Sequence, residues 1–136
     1  MTRRLMWHGT LLVLARLCIG LVIPYTATPR VTLGAHVCTI MNGLLVALAG
    51  ILWPHLRLSP RGQIWTAGLL VSSGYVLSAS LFLGGVTGAG SRRPLAGGGQ
   101  TGSAWAAMLV TAGLPLSAPT VIEAVGLLLV GLRGRE

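Results

Sequence analysis

The chain contains no lysine and no aspartate, and Glu123 and Glu136 are its only acids. Without aspartate no Ser-His-Asp nucleophile set can be assembled, and no phosphate-cradling loop ending in Gly-Lys is present. Only 9% of the residues are charged and 53% are hydrophobic. That is far too apolar for a soluble domain of 136 residues. Arginine supplies all ten basic residues and a net charge of +8. These arginines form no stripe that could track a nucleic-acid backbone. Most sit in short gaps between apolar runs, as membrane-flanking charges do, so no nucleic-acid partner is expected. Cysteine is also scarce. Cys18 and Cys38 are isolated and lie inside apolar runs. They lack metal-ligand spacing and read as small packing residues rather than a disulfide.

What the chain does have is four apolar runs, at 5–25, 33–56, 63–86 and 104–132. Each reaches the roughly 20 residues that a membrane-spanning helix needs. The expectation is an all-α membrane protein, a four-transmembrane-helix bundle forming one integral membrane domain over 1–136. Trp7, Trp53, Trp65 and Trp105 fall near span ends, where an amphipathic indole prefers the headgroup region. The first two gaps are short and force antiparallel neighbours. The third, 87–103, is long and glycine-rich, which suits a lid or site loop better than a plain connector. Arg3, Arg4, Arg57, Arg61, Arg133 and Arg135 fall on one side of this arrangement, and Arg30, Arg92 and Arg93 on the other. The excess predicts cytoplasmic termini. No small-x-small cleavage site follows the first run, so it reads as a span rather than a signal peptide. Pro115 and Pro119 inside the last run predict a kink or freed carbonyls. Gly43, Ala47 and Gly50, and separately Gly74 and Ser78, allow close helix contact.

Polar residues inside such runs are functional candidates, because each is costly in hydrocarbon without a partner. His36 lies about one turn into the second run, and a neutral imidazole is a good axial ligand for haem iron. A plain hydrogen bond to a neighbouring helix is the alternative. Asn42 follows by six positions, which is about 600° of rotation, or 120° around the helix and 9 Å further along. One straight helix cannot aim both at one point, so a shared site must wrap around the helix or form between protomers. Asn42 as interhelical glue remains open. His8 and His55 lie at the opposite span ends from His36 and read as interfacial residues. Arg30, Arg92 and Arg93 share a side with His36. Their guanidinium forks suit carboxylates, such as haem propionates or an acidic substrate, or are simply solvated charges. Arg16 and Glu123 are the strong charges within the spans, have opposite signs and sit at similar depth. They are expected to bridge the first and fourth helices, within or between protomers. Alternatively, Arg16 faces the cavity and holds a carboxylate.

Several stretches together carry a family resemblance. They are Arg3-Arg4-Leu5-Met6-Trp7-His8-Gly9, Thr28-Pro29-Arg30, Leu33-Gly34-Ala35-His36, Met41-Asn42-Gly43, Leu56-Arg57-Leu58-Ser59, Pro94-Leu95-Ala96-Gly97-Gly98-Gly99 and Gly131-Leu132-Arg133-Gly134. In order and spacing the chain resembles the hydroxylaminobenzene mutase family over nearly its whole length, and the styrene oxide isomerases more distantly. The resemblance implies a redox-neutral four-helix membrane enzyme. Ferric haem b would be the cofactor, with His36 as iron ligand and Asn42 as the site asparagine, in a homo-oligomer, a trimer. The small-molecule substrate implied is a hydroxylamino (N–O) compound, rearranged in an apolar cavity among membrane lipid. Departures leave room for N–N bond formation from an N-hydroxylated amine or for epoxide isomerisation. Cys38 and Thr39 stand where an acid follows the histidine in the family. Leu70-Val71-Ser72-Ser73-Gly74-Tyr75 replaces a Gly-Thr-Tyr-x-Asn-Trp-like run, and Leu81 stands where the isomerase has its tyrosine. A different class is a non-enzymatic multipass protein, a transporter or assembly subunit. Small exporters of this size depend on a glutamate in the first helix, and here the intramembrane glutamate is in the fourth.

Overall fold

Prolines and glycines set the ends of the helices. A computed structural model describes residues 1–89, 94–100 and 102–133. Helix α1 spans Thr2–Val22 and tightens into a 3-10 turn at Ile23–Tyr25. Helix α2 runs over Pro29–Leu52 and closes in a second 3-10 turn, Trp53–His55. Helix α3 covers Pro60–Thr87. Pro29 and Pro60 each occupy the first helical position, where the missing N–H has no intrahelical partner to lose. Ser59 caps α3, its side chain accepting from the Gly62 N–H at 3.2 Å, and Gly88 ends α3 in the left-handed region at φ 71°. A four-residue helix α4, Pro94–Gly97, interrupts the glycine-rich loop. Helix α5, Ala104–Leu132, stays helical through Pro115 and Pro119. Four of these helices are long and apolar enough to cross a membrane. Among the described residues all regular structure is helical.

The second helix begins at Pro29, one turn before the apolar run suggested, because Pro29-Arg30 initiates the helix before hydrophobicity rises. The helices pack as an array: α1 lies on α2, α2 on α3, and α3 on α5. A seam of small residues joins α1 to α2. A Cβ placed on Gly9 would stand 2.6 Å from the Ala47 nitrogen and 2.7 Å from the Gly43 oxygen. Between helices in lipid, apolar burial supplies little driving force, and such close backbone approach is what gives packing its strength.

Each end of the array is tied by hydrogen bonds. At one end, the Thr28 hydroxyl donates to the carbonyls of Gly84 (3.3 Å) and Gly85 (3.1 Å), and the Thr32 hydroxyl donates to Thr26 Oγ1 at 2.8 Å. At the other, the Arg57 N–H donates to the Gly131 carbonyl at 2.8 Å. A core cluster at this second end joins Leu5, Val46, Trp53, Leu56, Leu70 and Leu128. Trp53 departs from expectation. It is 5% exposed, whereas Trp7, Trp65 and Trp105 are 60%, 68% and 57% exposed. The 3-10 turn at Trp53–His55 folds the indole inward, onto the core, instead of outward to a headgroup region.

Candidate functional site

Gly9, Val13, Arg16 and Gly20 recur at three- and four-residue spacing and lie along the α2-facing side of α1. This stripe brings Arg16 and Gly20 to His36. The His36 ring sits in the space left by Gly20, where a Cβ would stand 2.9 Å from His36 Cε1 and 3.0 Å from Nδ1. Two hydrogen bonds fix the ring. His36 Nδ1 lies 3.1 Å from the Arg16 carbonyl oxygen, so Nδ1 carries the proton and donates. Arg16 Nε donates to His36 Nε2 at 3.2 Å. The imidazole is therefore the neutral Nδ1–H tautomer, with its Nε2 lone pair directed at a guanidinium. A backbone carbonyl on one ring nitrogen is the usual way a protein orients a metal-ligating histidine.

Asn42 lies half-buried on the α3 side of α2. Its Cβ is 3.6 Å from where a Gly74 Cβ would stand. His36 and Asn42 thus face different neighbours, α1 and α3, as their angular separation on one helix requires. Glu123 is exposed on α5. Because α1 packs on α2 while α5 packs on α3, and Arg16 turns to His36, the expected Arg16–Glu123 bridge is not formed within one chain. The lateral order of the helices separates the two.

Arg30 is exposed at the Thr28 end. It borders a depression of about 350 Å³ formed with Ala27, Leu95, Gly97 and Gln100, so the glycine-rich segment does return over the α1–α2 connection. Gln100 Nε2 donates to the Ala27 carbonyl at 3.5 Å. Arg92 and Arg93 lie outside the described residues. Among the described residues no group of three or more His, Cys, Asp or Glu side chains is placed to hold a metal ion, and Cys18 and Cys38 are free.

His55 is exposed in its turn. His8 has side-chain partners on two sides. Its Nδ1 lies 3.1 Å from the Tyr75 hydroxyl, and the two rings meet edge-on at 5.8 Å between centroids. Trp7 packs edge-on against the other side of His8, at 5.0 Å. Sequence reasoning missed Gly20 and Tyr75. The spacing of Gly9, Val13, Arg16 and Gly20 was the available signal for the first; nothing local marks Tyr75 as a partner 67 positions from His8.

The family model described as Styrene oxide isomerase matches residues 1–133. The chain belongs to the styrene oxide isomerase family. Two relatives from Ectopseudomonas oleovorans support this. Hydroxylaminobenzene mutase HabB is 34% identical over 134 residues, covering 98% of this chain and 82% of the relative. Hydroxylaminobenzene mutase HabA is 32% identical over 125 residues, covering 91% and 93%. No solved structure matches the chain. As a member of the styrene oxide isomerase family with mutase relatives, the chain is an enzyme of the isomerase and mutase kind, and the transporter and assembly-subunit readings fall away.

Proposed function

We propose that this enzyme rearranges an N-hydroxylated aromatic amine inside a bacterial plasma membrane, with a ferric haem b held through His36. The single observation that carries the haem reading is the fixed tautomer of His36. Its Nδ1 proton is committed to the Arg16 carbonyl at 3.1 Å, so Nε2 is the unprotonated nitrogen through which His36 would hold the iron. The donor set fits: one neutral imidazole, a guanidinium beside it, and apolar helix faces around them. With haem held there, the chemistry supplied would be Lewis acidity toward the N–O group of the substrate.

The chain's own residues do the rest. His36 Nε2 becomes available when the Arg16 side chain releases it. The freed guanidinium then offers its fork of N–H donors to a carboxylate, such as a haem propionate. Arg30 is a second carboxylate partner at the Thr28 end. Asn42 orients the departing oxygen. The apolar helix faces exclude water that would otherwise capture an electrophilic nitrogen. His36 points to α1 and Asn42 to α3, so a site using both is completed between copies of the chain, in keeping with a trimer. The arginines at the Trp53 end support cytoplasmic termini. Reporter fusions should put the Arg57–Gly62 loop inside and the 87–103 loop outside, and the reverse pattern would overturn this orientation.

Purified protein made with ample haem tests the reading. A Soret band is expected in wild type and in His8→Ala and His55→Ala, with loss of band and turnover together in His36→Ala. Turnover of an aryl hydroxylamine should need no NAD(P)H or oxygen, and product mass should equal substrate mass. Full haem retention in His36→Ala overturns the ligand assignment, and an obligatory electron donor overturns the rearrangement. The family match favours a second reading, opening of a strained C–O ring. Turnover of an aryl epoxide without the hydroxylamine would select it.

A further inference from the structure

A groove of about 530 Å³ opens between α1 and α3, with Thr39 of α2 on its floor. Leu12, Ile19 and Phe82 supply apolar walls, and Tyr75 and Cys18 also line it. This size and lining match a small-molecule site: apolar, concave, with very few polar groups. The groove sits at the depth of the Arg16–His36 pair. Ala15 and Ile19 flank Arg16 along α1, and Thr39 is one turn beyond His36 on α2.

Ser78 lines the same groove and is 6% exposed. Its hydroxyl is buried and has no hydrogen-bond partner. Several other hydroxyls in these helices turn back on their own backbone: Thr39 donates to the Ala35 carbonyl at 2.7 Å, Thr66 to Gly62 at 2.8 Å, Ser73 to Leu70 at 3.1 Å and Ser117 to Leu114 at 2.8 Å. That is the ordinary solution for serine and threonine in an apolar helix. Ser78 does not adopt it. A buried hydroxyl without a partner is costly, and the cost is recovered when an occupant of the groove bonds to it. As placed, the hydroxyl is shut off from the open space of the groove, so bonding to an occupant requires a rotation about χ1 to another staggered position. The other buried unpartnered side-chain polar atom among the described residues is Trp53 Nε1, packed in the core at the far end. The neighbouring groove between α3 and α5, about 620 Å³, is lined by Val76, Ser80, Ala112 and Leu116; Ser80 is 8% exposed, and its hydroxyl is not among the buried unpartnered atoms as that of Ser78 is.

We infer that the α1–α3 groove holds the aromatic ring of the substrate, and that Ser78 is a positioning residue whose hydroxyl bonds the ring's nitrogen substituent. The inference rests on the reading of the substrate as an aryl N–OH compound and adds where the ring lies. The groove opens on an apolar surface, so an aryl compound dissolved in lipid enters sideways without crossing water. An acyl chain also fits an apolar groove but gives Ser78 nothing to bond.

The probe is 4-fluoroaniline, which keeps the ring and the N–H donor but has no N–O bond to rearrange. Its binding to the full-length protein in detergent is read by 19F line broadening. Wild type is expected to bind saturably. Ser78→Ala should weaken binding about fivefold to tenfold, the loss of one hydrogen bond. Ser78→Thr should restore most of it. Ala15→Phe, which fills the groove, should abolish binding, whereas Ala112→Phe in the α3–α5 groove should leave it intact. In turnover, Ser78→Ala should raise KM more than it lowers kcat. Equal broadening in wild type and Ala15→Phe would mean partition into detergent or lipid and would overturn the site. So would unchanged affinity in Ser78→Ala, or loss in Ala112→Phe alone. The Soret band, measured in every variant, separates this from the haem reading. Band and hydroxylamine turnover intact, with binding indifferent to Ala15→Phe and Ser78→Ala, removes only the groove.

Discussion

Gly20 provides the space that the His36 imidazole fills: a methyl group on that residue would lie within 2.9 Å of His36 Cε1. The ring cannot retreat without giving up a hydrogen bond at one nitrogen or the other. Gly20→Ala is therefore expected to tilt the imidazole and to lower haem occupancy several-fold, read as Soret absorbance per mole of protein. Gly68, around which a Cβ meets nothing within 4 Å, is the control; Gly68→Ala should leave occupancy unchanged.

Removing the Arg16 side chain leaves His36 Nε2 half-buried without its donor. In protein lacking haem, Arg16→Leu should cost about 1–3 kcal/mol, the usual penalty for stranding a buried polar group. Thermal or denaturant unfolding in detergent measures it. If Arg16 must release Nε2 before haem binds, the same variant should take up haem faster than wild type while losing affinity. Slower uptake would show that Arg16 assists entry rather than guarding the nitrogen.

Arg16 and Glu123 belong to helices that do not pack on each other. Substitutions at distant sites usually add within about 0.3–0.5 kcal/mol. The cycle of Arg16→Leu, Glu123→Leu and the double variant should show additive stability changes. Coupling beyond that range, present in an oligomer and absent from dispersed chains, would place the pair between copies.

The α1–α2 seam tolerates no added volume at Gly9. A methyl there would meet backbone atoms of Ala47 and Gly43, which cannot rotate away. Gly9→Ala should destabilise the protein by about 1–3 kcal/mol, the range for overpacking, despite the better helix propensity of alanine. Equal or higher stability by unfolding in detergent would mean that the helices separate at little cost.

The four long helices were legible because apolar length is a local property. Their starts were not: the apolar runs opened at Leu33 and Gln63, whereas Pro29 and Pro60 begin α2 and α3, the latter capped by Ser59. The angular split between His36 and Asn42 was also legible, since it follows from helical pitch alone. Lateral order was not. Two charges of opposite sign at one depth suggested Arg16–Glu123, but depth is read along a helix and neighbourhood is read across the array. Short connections say that successive helices run antiparallel; they do not say whether the first touches the last. The Trp53 indole illustrates the same limit, because a tryptophan at a span end is drawn outward by headgroups or inward by a turn, and only the turn geometry decides.

The two bonds that hold His36 differ in kind. One comes from the side chain of Arg16 and can be deleted; the other comes from its main chain and survives every replacement at position 16. Ring orientation and proton placement are thus inherited from the path of α1, while the grip on Nε2 is adjustable by residue type. Replacements at position 16 would change how firmly that nitrogen is held without changing which nitrogen it is.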